Sequence, residues 1–153
     1  MKEHFQLLFQ YEKWATNRVL DAMKQLPVQD EKCLEWMAHI LLAQLIWYAR
    51  LTNTNAPATG WEKKTIEECE KMFDNYTKLW VDYWNNLDEK DLLKKVSYKD
   101  TKGNPYENIT KHILTHVINH STYHRGQIIA QLKGQLPTLP STDYILFIRE
   151  QRQ

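Results

Sequence analysis

The stretch ITKHILTHVINHSTYHRGQIIAQLK, residues 109–133, sets four of the chain's six histidines, His112, His116, His120 and His124, at four-residue steps on one helical period. A four-residue step overshoots a full α-helical turn by about 40°, so neighbours in the series stack while the first and last diverge by about 120°. With Ile109 at zero on a helical wheel, Ile113, Val117, Ile128 and Leu132 span about 40° to about 140°, the face that needs a core. His120 and His124 fall at about 20° and about 60°, on that inward side. His116 lies about 20° to the other side of zero, at the rim, and His112 about 60°, toward solvent. The helix runs to Lys133, with Gly134 as its C-terminal cap. One apolar face is stable only against others, so the rest of the chain must supply them.

Three further helical stretches do so. From Glu3 to Leu26 the residues Phe5, Leu8, Ala15, Val19, Ala22, Met23 and Leu26 recur at three- and four-residue steps, and Pro27 stops them. A second helix runs from the N-cap Asp30 to about Thr52, with Leu34, Ala38, Leu41, Leu42, Leu45 and Ala49 inward. Ile40, Ile46 and Trp47 lie on its other sides, so it is buried from two directions and could also line a subunit contact. The small, polar and helix-breaking residues of Thr54 to Gly60 lead to Thr65-Ile66-Glu67-Glu68, a capping box that opens helix three. About eleven linking residues can extend roughly 35 Å, enough to return along a whole helix and set helices two and three parallel.

Helix three carries Ile66, Met72, Phe73, Tyr76, Leu79, Trp80 and Tyr83 and fades near Leu87, where Asp88-Glu89-Lys90-Asp91 breaks the pattern. Val96 and Tyr98 alternate with polar neighbours ahead of Asp100-Thr101-Lys102-Gly103. This predicts a short β-hairpin across the bundle end, its second strand limited by Pro105. Helix four is expected to begin between Pro105 and Ile109, capped early at Asn104 or late at Asn108. Pro137 and Pro140 punctuate a loop, and Ser141-Thr142-Asp143 offers N-cap chemistry for a short last helix ending near Arg149. The expected fold is all-α: a four-helix bundle in a single domain, residues 1–153, with a β-hairpin connector before helix four and a short C-terminal helix.

Composition narrows the function classes. Apolar residues at 42% against charged residues at 25% fill an ordinary globular core without disulfides. The net charge of +1 and the lack of a long Lys/Arg run predict no nucleic-acid partner. The longest apolar stretch, Ile40 to Ile46, is interrupted by Gln44 and too short to span a bilayer, and the first residues are charged. No membrane association and a cytoplasmic location are therefore expected. Cys33 and Cys69 form no paired motif, so neither a disulfide framework nor a thiolate zinc site is predicted.

His120 and His124, one turn apart on a buried face, form a bidentate grip for an ion at about 2.0–2.1 Å. The competing role is that of hydrogen-bonded core histidines. Even so, two adjacent imidazoles need a shared proton, water or ion to be desolvated together. A third ligand must come from another helix, and the candidates are His39 on helix two, which helical-wheel arithmetic alone does not turn into a ligand, and His4 on helix one, the weaker of the two at the edge of its helix's face. Gln127, one turn beyond His124, either orients a ligand from outside or is an ordinary polar edge residue. Arg125 is expected to pair with a surface acid and Gly126 to mark a close helix crossing. The six tryptophans read as core and interface packing. A di-iron carboxylate site needs Glu-x-x-His pairs, and no Glu stands three residues before any histidine.

The segment NHSTYHRGQI, residues 119–128, resembles the signature of the DinB/YfiT-like family of damage-inducible bundle proteins. HILLAQLIW at residues 39–47, followed by Arg50 and Leu51, is similar to that family's helix-two motif. YEKWATNRVL at residues 11–20 is similar to its first helix, and the order and spacing agree over essentially the whole chain. The resemblance implies up-down-down-up topology, homodimers, and a zinc or nickel ion on His39, His120 and His124. Three imidazoles leave a coordination position open, as in catalytic rather than closed structural sites. Several members of the family activate a low-molecular-weight thiol such as bacillithiol or mycothiol. The expectation by analogy is therefore a metal-dependent hydrolase or thiol S-transferase acting on a thiol or other small molecule, with no catalytic residue nominated beyond the ligands. The alternative is a non-catalytic metal-binding dimeric scaffold or stress-response protein.

Overall fold

Helix signals in the sequence become five helices in the structure, a computed structural model that describes residues 1–151. They are α1 (Lys2–Lys24), α2 (Glu31–Thr52), α3 (Ile66–Asn86), α4 (Thr110–Leu132) and α5 (Tyr144–Glu150). The caps explain several of the boundaries. Asp30 Oδ1 accepts from the backbone N–H groups of Lys32 and Cys33 at 2.9 and 3.0 Å, and Asn53 at φ 54° ends α2 in the left-handed region. The Thr65–Glu68 box closes reciprocally at 2.8 and 3.2 Å.

Two differences from the sequence reading fall between α3 and α4. Glu89–Leu93 forms a 3-10 turn that buries Leu92 completely, where only a break in pattern was expected. The hairpin pairs β1 (Lys95–Lys99) with β2 (Pro105–Ile109), so strand occupies all five positions where helix four was expected to begin. Neither asparagine caps α4, because both side chains serve the hairpin. Asn108 Oδ1 accepts from Tyr98 Oη at 2.7 Å, and Asn104 Nδ2 donates to Asp100 at 3.0 Å. Thr110 ties the first turn of α4 to the Lys94 carbonyl through its N–H and hydroxyl, at 2.9 and 3.1 Å.

The contacts fix the helix directions. α1 packs on α3 and α4, and α2 on the same two. Lys24 bonds Glu70 at 2.7 Å and Lys2 Nζ bonds the Leu87 carbonyl at 2.6 Å, so α1 and α3 run antiparallel. Asp30, before α2, accepts from Gln131 and Gln135 around the end of α4, at 3.0 and 2.9 Å, so that pair is antiparallel too. Tyr48, late in α2, meets Trp80 and Tyr83, late in α3, so these helices are parallel. The bundle is therefore up-down-down-up, and α5 lies against α1 through Phe147 and Tyr11. Ile40 and Ile46, off the main face of α2 by the wheel, are buried within this one chain.

Polar groups cross the middle of this core. Arg125 is 1% exposed and paired with Glu12, itself 0% exposed, rather than with a surface acid as expected. Burial opposes its charge, but the Glu12 carboxylate outweighs that and raises its pKa. Glu12 Oε1 accepts from Thr16 Oγ1 and Gln44 Nε2, both at 3.1 Å. Gln44 Nε2 also donates to Ser121 Oγ at 3.1 Å, and its Oε1 accepts from Trp80 Nε1 at 2.8 Å. Every long helix thus contributes to one buried network. Gly126, expected at a helix crossing, is exposed, and a Cβ added there would meet nothing within 4 Å.

Removing one partner of a buried pair strands the other charge in the core. Arg125→Met should cost about 3–5 kcal/mol in urea denaturation, and adding Glu12→Leu should recover most of that loss. A single variant as stable as the parent would contradict the role assigned to the pair.

Candidate metal centre

α4 carries His120 and His124 on the side turned toward α2, and the antiparallel packing of these two helices brings His39 across from them. One ligand-capable nitrogen from each of the three histidines lies within 4.8 Å of the others. The ring centroids stand 4.6 to 4.8 Å apart. His39 Nε2 is 3.0 Å from His120 Nε2. Two nitrogens each about 2.0–2.1 Å from a tetrahedral ion would be separated by about 3.4 Å, so this pair is already near the spacing that a shared ion needs.

Outer partners set which ring nitrogens face inward. His39 Nδ1 donates to the Gly60 carbonyl at 2.7 Å, and His124 Nδ1 donates to Gln127 Oε1 at 2.6 Å. A neutral imidazole that gives its Nδ1 proton away keeps a lone pair on Nε2, the tautomer that binds a metal through Nε2. Of the two readings left open for Gln127, the structure supports the orienting one. Trp61 adds a wall: its ring stacks on His39 at 3.6 Å and 9°, and stands edge-on to His124 at 6.1 Å.

Burial holds His120 and His39 neutral. His120 is driven down to about 3, first by burial and then by the nearby His124, His39 and His116. His39 is lowered by burial, partly offset by its bond to Gly60. Protons therefore do not compete for the His39 and His120 nitrogens near neutral pH. Burial pushes the Cys33 and Cys69 thiols up to about 12, which leaves them inert.

The remaining candidates sit elsewhere. His4 and His112 are exposed and outside the cluster. His116 lies at the rim, its ring 5.4 Å from His120 and 5.1 Å from Trp47. Sequence reasoning missed Gly60 and Trp61. The available signal was the length of the link: a segment that runs back along α2 must pass His39. Trp61 also lines a cleft of about 670 Å³ between the first turns of α2 and α3, together with Glu35, Lys63 and Lys64.

The DinB family model matches residues 1–153. The chain belongs to the DinB family. It is 27% identical over 157 residues to Protein DinB of Bacillus subtilis (strain 168), which covers 92% of this chain and 91% of that protein. Its fold is similar to the crystal structure of a DinB-like protein from Bacillus cereus ATCC 10987, with a TM-score of 0.68 and 19% identity over 91% of this chain and 95% of that one. At such identity the likeness speaks for the fold alone. The family and the three-histidine cluster are together compatible with divalent-metal binding. Among the described residues no helix is long and apolar enough to cross a membrane.

The lowered imidazoles set a pH dependence. Between about pH 3 and pH 6.5 the unfolded chain binds protons that folded His120 refuses, and the lowered His39 and His116 act in the same direction. The stability these histidines contribute to the metal-free protein is then fully present above about pH 6.5 and falls on acidification. The urea midpoint should be lower at pH 5 than at pH 7, and His120→Asn should flatten that slope. A midpoint that rises on acidification would contradict the assignment.

Proposed function

We propose that this DinB-family chain binds one zinc or nickel ion through His39, His120 and His124 and works as a metal-dependent hydrolase or thiol S-transferase. The observation that carries the reading is the meeting of three imidazole nitrogens from two helices within 4.8 Å. Its support is the outer bonding that aims them: the Gly60 carbonyl behind His39 and the Gln127 amide behind His124. A bound divalent ion would supply Lewis acidity, lowering the pKa of water or a thiol at the position that three protein ligands leave open.

The chain's own groups have distinct tasks in this reading. Burial keeps His120 unprotonated, so its lone pair stands ready at neutral pH. Trp61 covers one face of His39 and keeps water off that ring. Glu35, Lys63 and Lys64 bring charged groups and Trp61 a flat apolar ring to the adjoining, mainly apolar cleft, whose size suits a small molecule such as a low-molecular-weight thiol.

Elemental analysis of untagged protein should find about one zinc or nickel per chain, with His120→Ala and His124→Ala each abolishing it. Unchanged metal content in the folded variants would end the ligand assignment. A thiolate entering the open position should alter the visible spectrum of cobalt-substituted protein. A spectrum indifferent to cysteine, glutathione and bacillithiol would favour a metal-binding scaffold over a thiol transferase.

A further inference from the structure

The ligand-bearing helices carry a second set of directional contacts directly behind the histidines. Ser121 and Arg125 follow His120 and His124 in sequence, so each lies about 100° round α4 from its neighbouring ligand. Gln44 comes five residues after His39, about 140° round α2. The histidines occupy the groove between α2 and α4, while these three residues point into the bundle centre. There Gln44 Nε2 donates to Ser121 Oγ at 3.1 Å, a direct bond between the two ligand helices, and to Glu12 Oε1 at 3.1 Å. Trp80 Nε1 fixes the orientation of the Gln44 amide by donating to its Oε1 at 2.8 Å. Glu12, on α1, holds the other end of the set through Arg125. All five side chains are buried: Glu12, Gln44, Ser121 and Arg125 are at most 1% exposed and Trp80 is 3% exposed.

Apolar packing is non-directional and tolerates small shifts of one helix past another. A one-residue slip of α4 moves it about 1.5 Å and turns it about 100°. Such a slip would carry His120 and His124 away from His39, and it would also break the Gln44–Ser121 and Glu12–Arg125 contacts together. A buried ion pair adds little net stability over well-packed apolar residues, and its best-attested use is the choice of one register over others.

We infer that Glu12, Gln44, Ser121 and Arg125 are positioning residues of the three-histidine centre, locking the register of α4 against α2 so that the imidazoles converge. The inference rests on the metal reading above. It assigns the buried network an effect on ion affinity and coordination geometry that is separable from fold stability.

The test compares wild type, the paired apolar replacement Glu12→Leu/Arg125→Met, and Ser121→Ala, which removes one hydroxyl and leaves both charges in place. Zinc affinity is measured by chelator competition, coordination geometry by the visible bands of the cobalt-loaded full chain, and folding by thermal melting of the metal-free protein. The double variant should melt cooperatively yet bind zinc about tenfold or more weakly, with shifted or weakened cobalt bands. Ser121→Ala should melt close to wild type and lose affinity on the order of threefold. If the double variant does not melt cooperatively, Ser121→Ala decides the question alone. Folded variants with wild-type zinc affinity and cobalt spectrum would overturn the positioning role while leaving the ligands in place. A wild-type chain that binds neither zinc nor cobalt would overturn the metal reading and this inference with it.

Discussion

A carboxylate and a guanidinium sealed in the centre of the bundle constrain this molecule more than any other contact. Glu12 and Arg125 are each almost wholly inaccessible, and neither could be there without the other. Their remaining hydrogen-bonding capacity draws in Thr16, Gln44 and, through Gln44, Ser121 and Trp80. An apolar core would fill the same space, but it would leave the axial position of each helix to shape alone. Here α1, α2, α3 and α4 are each bonded at a defined height, and the height of α4 on α2 determines whether the histidines meet.

The long link between α2 and α3 contributes in two ways. Its reach lets those helices run parallel, which leaves α4 to lie antiparallel against α2. Its path then takes the Gly60 carbonyl to His39 Nδ1 and the Trp61 ring onto the His39 face. The same segment therefore settles the topology and supplies an outer partner and a wall to the candidate site. Gln127 supplies the matching partner from within α4, three residues beyond His124.

Local sequence chemistry explains why so much of this was readable in advance. Apolar periodicity, the Asp30 cap and the Thr65–Glu68 box each act within one turn of helix, and the structure reproduces them. The wheel placed His120 and His124 inward because Ile113, Val117, Ile128 and Leu132 flank them, whereas the choice of His39 came from the family resemblance. The failures came from partners that a residue's own pattern does not reveal. Arg125 looks like a surface residue until Glu12, 113 positions away, is packed against it. Asn104 and Asn108 have good capping chemistry, but Asp100 and Tyr98 claim their side chains first. Gly60 and Trp61 have no local signal for contact with His39, which for Gly60 lies 21 positions earlier.

The account stands or falls on what surrounds a bound ion. X-ray absorption at the metal edge of zinc- or nickel-loaded protein measures this directly, because imidazole rings give a recognisable outer-shell scattering pattern. The expected spectrum has about three imidazole nitrogens at about 2.0–2.1 Å, with a light atom completing the first shell. That pattern should be lost in His39→Ala. A shell of oxygen alone, a sulfur at about 2.3 Å in the absence of added thiol, or a spectrum unchanged by His39→Ala would contradict it.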